Sequence, residues 1–215
     1  ITKLFLRFFF GVLLPLRTAA VGGVAMDDKV QQKISQAASA EYGWKTEEVR
    51  VDEVERLRRP SCSFYTAGNS VRPLSYQGNY ALLPGSQVVG LGHGETVAKI
   101  LDTCSSGASA DWWAEIITRF HDDIGGGIVL TDDQVRPDIV RKMDKAGMKF
   151  MPPSFSHDKQ SVSFLLLDPE SYILYRIEAK RTAGGDVEVT KTKLLGGMSD
   201  AAPSDPVEKV SQMLD

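Results

Sequence analysis

This 215-residue chain is poor in the side chains from which catalytic and metal centres are commonly built. It has only two cysteines and three histidines, and no CxxC or Cys/His spacing of the kind that indicates a zinc site. It also has neither a GxSxG nucleophile elbow nor an HExxH helix motif. These absences favour a non-catalytic protein, and we expect no metal and no cofactor.

Positive charge is not in excess. The chain has 25 Lys and Arg against 28 Asp and Glu, which gives a formal net charge of −3. Lys3, Arg7 and Arg17 all lie in the first 25 residues, where there is no acid, so leaving out that segment takes the net charge from −3 to −6. Binding to phosphate backbones needs a basic face. We therefore expect no nucleic acid partner.

A long hydrophobic run is missing too. Residues 8–16 are apolar but contain Pro15, and they are far shorter than the roughly 20 residues that a membrane-spanning helix needs. They follow two basic residues and lead through small residues to Ala25, the layout of a secretory signal. We interpret residues 1–25 as a targeting leader or membrane-associated segment of an exported protein. Two alternatives stay open: a chloroplast or mitochondrial transit peptide, and a true start at Met26.

The two cysteines fall on apolar faces. Cys62 shares a strand face with Phe64, and Cys104 continues the apolar face of a short helix. An exported protein with an even cysteine count permits one disulfide, which would stabilise the fold by about 4 kcal/mol in the chain-entropy account. The alternative is a pair of buried free thiols that behave as small hydrophobic side chains.

Hydrophobic periodicity predicts an α+β fold, mainly antiparallel sheet with packed helices. Residues 27–104 are expected to form a helix–strands–helix subdomain. The order of elements in residues 27–91 resembles small secreted inhibitor-like or propeptide-like modules. Because the resemblance includes no shared motif, it implies no roles for individual residues.

The second half is expected to form another α+β subdomain over residues 108–195. Residues 161–167, 172–180 and 187–195 alternate like strands and predict a C-terminal three-stranded meander, with one face buried and the other wet. Residues 196–215 are expected to be a linker followed by a short terminal helix.

A glycine-rich stretch, Gly90-Leu91-Gly92-His93-Gly94, lies between a predicted strand and a predicted helix. Such turns can cradle phosphate groups, which makes Gly90, Gly92, His93 and Gly94 candidate anion-binding residues. The spacing of a dinucleotide fingerprint is missing, and the preceding strand belongs to a hairpin, so a tight structural turn is the favoured interpretation. The runner-up function rests on this stretch: a small-molecule-binding or hydrolytic enzyme with a pocket at residues 90–95.

Hard metal ligands occur together once, in His121-Asp122-Asp123, with Asp132 and Asp133 across a glycine run. Calcium sites need more converging oxygen atoms than this, and the spacing of an EF-hand loop is absent. We expect ordinary solvated acids here.

Tryptophan and tyrosine supply the remaining candidates. Trp112 and Trp113 are about 100° apart on a predicted helix, so one of them is expected outside the main core, although core packing is the default for each. With Tyr76 they are the candidate partner-binding residues, since interfaces are enriched in such side chains. The preferred function is a non-catalytic exported or membrane-associated protein that binds another protein or serves as an accessory subunit of a larger assembly. Contact with a membrane is expected only through the leader.

Overall fold

The computed structural model describes residues 27–71, 77–124 and 126–196. The leader predicted for residues 1–25, Tyr76 and the predicted terminal helix lie outside these described residues. Among the described residues, no helix combines the length and hydropathy that crossing a membrane requires. The described helices are α1 (Asp28–Tyr42), α2 (Gly94–Cys104), α3 (Ala110–Phe120) and α4 (Pro137–Lys145).

The strands form two antiparallel sheets, which confirms the α+β prediction. The first sheet has the order β1-β2-β3-β4; the second has β5-β7-β8-β9, with β6 paired to β7. The strands are β1 (Val49–Glu53), β2 (Ser63–Asn69), β3 (Gln77–Leu83), β4 (Gln87–Val89), β5 (Ile128–Val129), β6 (Ser154–Phe155), β7 (Ser161–Asp168), β8 (Ile173–Arg181) and β9 (Val187–Leu195). The predicted meander is β7-β8-β9.

Helix α1 covers the outer face of the first sheet. The side chain of Asp27 caps it by accepting a hydrogen bond from Lys29 N–H at 2.9 Å, and Gly43 ends it with a left-handed φ of 69°. Its buried residues Ile34 and Ala38 pack with Tyr65 and other apolar residues of the first sheet.

Helices α2 and α3 lie between the two sheets and join them. Ser109 caps α3 by accepting a hydrogen bond from Trp112 N–H at 3.3 Å. The largest hydrophobic cluster includes Phe64, Ala81 and Leu83 of the first sheet, Val162, Phe164 and Ile177 of the second sheet, and Val97, Leu101, Ile116 and Phe120 of the two helices. The two halves of the chain therefore share one core.

The outer face of the second sheet is only partly wet. Leu165 and Leu167 of β7 form a smaller cluster with Ile139 and Met143 of α4. The expectation that this face is wet is wrong at this end, because residues 164–167 are an unbroken apolar run that supplies both faces of the strand. The short strand β6, which the periodicity did not predict, adds one more edge to β7.

The disulfide between Cys62 and Cys104 is formed, with a Cα–Cα distance of 5.9 Å. Both cysteines are buried in the shared core. The bond ties the residue just before β2 to the last residue of α2, which decides between the two alternatives left open, a disulfide and two buried free thiols.

Candidate functional site

The inner face of the first sheet is apolar at one end and polar at the other. Phe64, Ala81 and Leu83 pack against the helices, whereas the rest of this face carries polar or small residues. We call this second part the open polar face; it consists of Arg50, Asp52, Thr66, Gly68, Gln77 and Asn79. It borders the last turn of α3, because Arg119 of that turn donates a hydrogen bond to Asn79.

A cleft of about 280 Å³ lies where the open polar face meets α3. Its lining residues are Tyr42, Thr66, Gln77, Asn79, Leu91, Thr118, Arg119, Gly126 and Gly127. A second depression of about 420 Å³ shares Thr66 and Gln77 with the cleft and extends across Arg50 and Asp52. The two depressions together form a polar groove along the sheet.

The guanidinium group of Arg119 is held in place at the base of this groove. Its Nε donates to Glu115 Oε2 at 3.2 Å, and its Nη1 donates to Asn79 Oδ1 at 3.1 Å. Glu115 also accepts a hydrogen bond from Arg56 at 2.9 Å. A guanidinium has five N–H donors in a fixed plane, so a positioned Arg119 keeps donors for a carboxylate or carbonyl group.

Thr118, next to Arg119, carries an unusual hydroxyl group. Its Oγ1 is buried and has no hydrogen-bond partner among the described residues. Buried polar atoms are nearly always paired, and an unpaired one costs stability. The fold therefore keeps a polar group in the wall of the cleft that it does not use for its own hydrogen bonding.

Tyr80 closes the sheet behind the cleft. It is 1% exposed, and its hydroxyl donates to Glu41 Oε2 at 2.8 Å. Burial raises the pKa of the Tyr80 phenol well above its usual range, and the neighbouring Glu41 carboxylate raises it further. The phenol therefore keeps its proton and acts as a fixed donor to Glu41.

The glycine-rich stretch is tied to the chain that follows α3. Gly92 N–H donates to Phe120 O at 3.0 Å, and Asp122 N–H donates to Gly92 O at 3.1 Å. His93 is exposed, and its Nδ1 lies 2.5 Å from Asp122 Oδ2. The structure thus brings together two motifs that are separate in sequence, the glycine-rich stretch and His121-Asp122-Asp123.

Gly94 begins α2 in a crowded place. A Cβ atom at this position would overlap the Asp186 carboxylate and the Val187 carbonyl, so only glycine fits. Close packing against the start of β9 explains this glycine. Anion binding by Gly90, Gly92, His93 and Gly94 stays a prediction, and carboxylates of Asp122 and Asp186 lie next to the stretch.

Both tryptophans lie in the core, so the expectation that one of them lies outside it is wrong. Trp112 is 4% exposed, and its Nε1 donates to Leu57 O at 2.9 Å. Trp113 is 9% exposed and meets Phe155 edge to face, with ring centroids 5.3 Å apart. The rings are covered by the guanidinium groups of Arg59 and Arg181, each 5.0 Å from its ring centroid. Partner binding by Trp112, Trp113 and Tyr76 stays a prediction.

Sequence reasoning missed the cleft. Thr66, Gln77 and Asn79 look like ordinary outward strand positions until the pairing of β2 with β3 places them on the face that also carries Phe64 and Ala81. One signal was present: Thr118 and Arg119 interrupt the otherwise apolar second half of the α3 sequence. Comparison of the chain with protein-family models, curated proteins and solved structures finds no match.

Proposed function

We propose that this chain is a non-catalytic exported or membrane-associated protein that binds another protein or serves as an accessory subunit, and that its partner docks on the open polar face. The observation that carries the proposal is the cleft at Thr118 and Arg119, where the fold keeps a buried hydroxyl without a partner beside a positioned guanidinium. A partner segment with carbonyl or carboxylate acceptors would fit the remaining donors of Arg119.

The disulfide supports export. Bonds of this kind form and persist in oxidising compartments, and both thiols of the chain are consumed by it. Neither cysteine can therefore serve as a nucleophile while the bond is intact. A leader in residues 1–25 would account for delivery to such a compartment, and an organelle destination is the alternative.

The experiment compares two exposed glutamines on strands of the first sheet. Gln77 lines the cleft, and Gln87 lies on β4 outside it. The tagged full chain and its Gln77→Arg and Gln87→Arg variants are produced in the source cells, and co-isolated proteins are quantified. We expect Gln77→Arg to reduce recovery of a partner by about 10-fold or more, equivalent to about 1.4 kcal/mol, and Gln87→Arg to retain it.

Thermal melts of the purified variants provide the control for folding. Both substitutions fall on exposed positions and should leave the melting temperature close to that of the wild-type chain. Equal recovery of every partner by Gln77→Arg and by the wild type would refute docking on the open polar face.

A second candidate function is a small-molecule-binding or hydrolytic enzyme with its pocket near residues 90–95. Two observations favour it: Leu91 lines the cleft, and His93 lies against Asp122 in the manner of a base and its orienting acid. An ester hydrolysis rate that is higher than in buffer and is abolished by His93→Gln would support the enzyme. A rate unchanged by His93→Gln would count against it.

A further inference from the structure

The protonation of His121 can be assigned from its neighbours. Its side chain is 5% exposed, and its Nε2 lies 3.1 Å from the Val187 carbonyl oxygen. A carbonyl oxygen only accepts hydrogen bonds, so Nε2 carries the proton and Nδ1 presents a lone pair. That lone pair accepts a 3.3 Å hydrogen bond from Asp123 N–H, which also donates to Asp122 Oδ1 at 3.1 Å, so a metal ion bound to both atoms would take the place of this N–H. A histidine whose second ring N–H is held by a backbone carbonyl is oriented as metal-binding histidines are.

Two carboxylates flank the Nδ1 atom of His121. Asp122 Oδ1 is 3.6 Å from it and Asp123 Oδ2 is 4.0 Å from it. One ligand atom from each of these three residues can be chosen so that all lie within 4.8 Å of one another. Metal bonds of about 2.0–2.2 Å set ligand separations of roughly 3.3–3.5 Å in a tetrahedron, so the three ligand atoms would have to move closer together as the ion binds.

A second imidazole, that of His93, contacts Asp122 from another part of the chain but lies outside the set of three residues whose ligand atoms are within 4.8 Å of one another, so it would have to turn to join them. His93 Nδ1 is 2.5 Å from Asp122 Oδ2, so the Asp122 carboxylate lies between the two histidines. The hydrogen bonds that link Gly92 with Phe120 and Asp122 fix the two chain segments side by side. The His93 side chain is 88% exposed, which leaves it free to turn towards an ion.

We propose that His93, His121, Asp122 and Asp123 bind a divalent transition metal ion, with Zn²⁺ as the best fit. Two imidazole nitrogens and two carboxylate oxygens match the ligand preference of zinc, whereas calcium and magnesium prefer oxygen ligands throughout. The two carboxylates also balance the two positive charges of the ion. Four protein ligands make a closed, structural site that fastens the glycine-rich stretch to the end of α3.

No metal was expected from the sequence, because His121-Asp122-Asp123, even with Asp132 and Asp133, shows too few converging ligands without His93. The fold adds His93 through the bridge between Gly92 and His121. The site is separate from docking on the open polar face, and either proposal can fail without the other.

The test is titration of the full chain, with its disulfide intact, with ZnCl₂ in a calorimeter. The sequence contains three histidines, so His157, an exposed residue outside the site, supplies a matched control. We expect the wild type and His157→Gln to bind one equivalent of Zn²⁺. His93→Gln and Asp122→Asn should bind at least about 10-fold more weakly, because each lacks one ligand. Binding should also raise the melting temperature of the wild type.

His121 is tested without substitution, because its side chain is buried and its removal would disturb the core. Nitrogen-15 NMR of the histidine rings should show the Nδ1 signal of His121 shifting on addition of Zn²⁺ while Nε2 stays protonated. The proposal is overturned if the wild type takes up no Zn²⁺, if His93→Gln and Asp122→Asn bind as tightly as the wild type, or if the ring nitrogens of His121 do not respond.

Discussion

The two sheets are covered by helices in similar ways but differ in the polarity of their inner faces. Each places its inner face on α2 and α3 and covers part of its outer face with one more helix, α1 for the first sheet and α4 for the second. The inner face of the second sheet is apolar along β7, from Val162 to Leu166. The inner face of the first sheet turns polar at Thr66 and Asn79, beside the last turn of α3.

Because of this difference, we regard the inner face of the first sheet as a candidate binding surface and that of the second sheet as part of the scaffold. Polar residues of the second sheet, such as Glu178, Lys180 and Thr190, lie exposed on its outer face, where they line a depression of about 490 Å³. The polar residues of the first sheet lie on the inner side, in a recess beside a buried hydroxyl without a partner. A recessed polar surface next to a hydrophobic core has a cost in desolvation, which favours a functional explanation.

The largest expected effect concerns the tryptophan pair, because each ring faces a different sheet. Trp112 contacts Phe64 of the first sheet, and Trp113 contacts Phe155 of the second. We expect Trp112→Ala and Trp113→Ala each to lower the free energy of unfolding by about 3–5 kcal/mol. If the core is shared, each variant should unfold in one transition when near-UV circular dichroism and far-UV circular dichroism are followed together.

Two separate unfolding transitions in either tryptophan variant would contradict the shared core, since they would show that the two sheets unfold independently. Such a result would mean that the two halves of the chain are separate folding units packed against each other. The same measurement on the wild type sets the reference.

The next effect comes from the disulfide, which joins two residues of the first half of the chain and is buried in the shared core. The loop between Cys62 and Cys104 spans 42 residues of sequence. Its closure is worth about 4 kcal/mol in the chain-entropy account. Reduction should lower the melting temperature by roughly 10 °C for a chain of this size. The double variant Cys62→Ser, Cys104→Ser should melt at the reduced temperature with or without reductant; an oxidised chain that melts no higher than this variant would contradict the expectation.

A smaller difference in the free energy of unfolding is expected between two tyrosine variants, one in each sheet. Tyr80→Phe removes the hydrogen bond to Glu41 and should lower the free energy of unfolding by about 1 kcal/mol. Tyr175→Phe should change it by less than about 0.5 kcal/mol, because the partly buried Tyr175 packs through its ring, with Lys191 over it. Urea unfolding at pH 8 measures both.

The difference in stability between the wild type and Tyr80→Phe should depend on pH in a known direction. The pKa of Tyr80 is raised in the folded chain by burial and by Glu41, from an ordinary value of 10.0. The stability that this shift contributes is fully present below pH 10 and is lost as the pH rises through the raised pKa. The advantage of the wild type over Tyr80→Phe should therefore shrink above pH 10. An advantage that grows above pH 10 would contradict the assignment.

The sequence predicted the elements that have strong local signals. Three alternating segments, residues 161–167, 172–180 and 187–195, formed the predicted meander. The burial of Cys62 and Cys104 followed from their apolar faces, whereas their bonding, across 42 residues of sequence, stayed one of two alternatives. Strand alternation and the apolar face of a single element depend on residues close together in the chain, so they can be recognised from the sequence alone.

The candidate sites depend on contacts between distant segments, and the sequence does not display those. Thr66 meets Asn79 through strand pairing, and Asn79 meets Arg119 across 40 residues. His93 joins Asp122 only because Gly92 bridges to His121. The prediction that the outer face of the second sheet is wet is wrong at Leu165. An unbroken apolar run does not show which residues face outwards, so the sequence does not indicate that α4 covers this part of the sheet.

The free energy of unfolding of Thr118→Val tests whether the fold itself needs the buried hydroxyl that it keeps in the wall of the cleft. Valine keeps the shape of threonine and removes only the hydroxyl, whose Oγ1 has no partner among the described residues. Thr131→Val is the control, since its hydroxyl donates to Asp133 at 2.5 Å. We predict that Thr118→Val unfolds in urea with a free energy equal to or above that of the wild type, while Thr131→Val loses about 1 kcal/mol. A loss of about 1 kcal/mol or more in Thr118→Val would show that the fold uses this hydroxyl and would contradict the prediction.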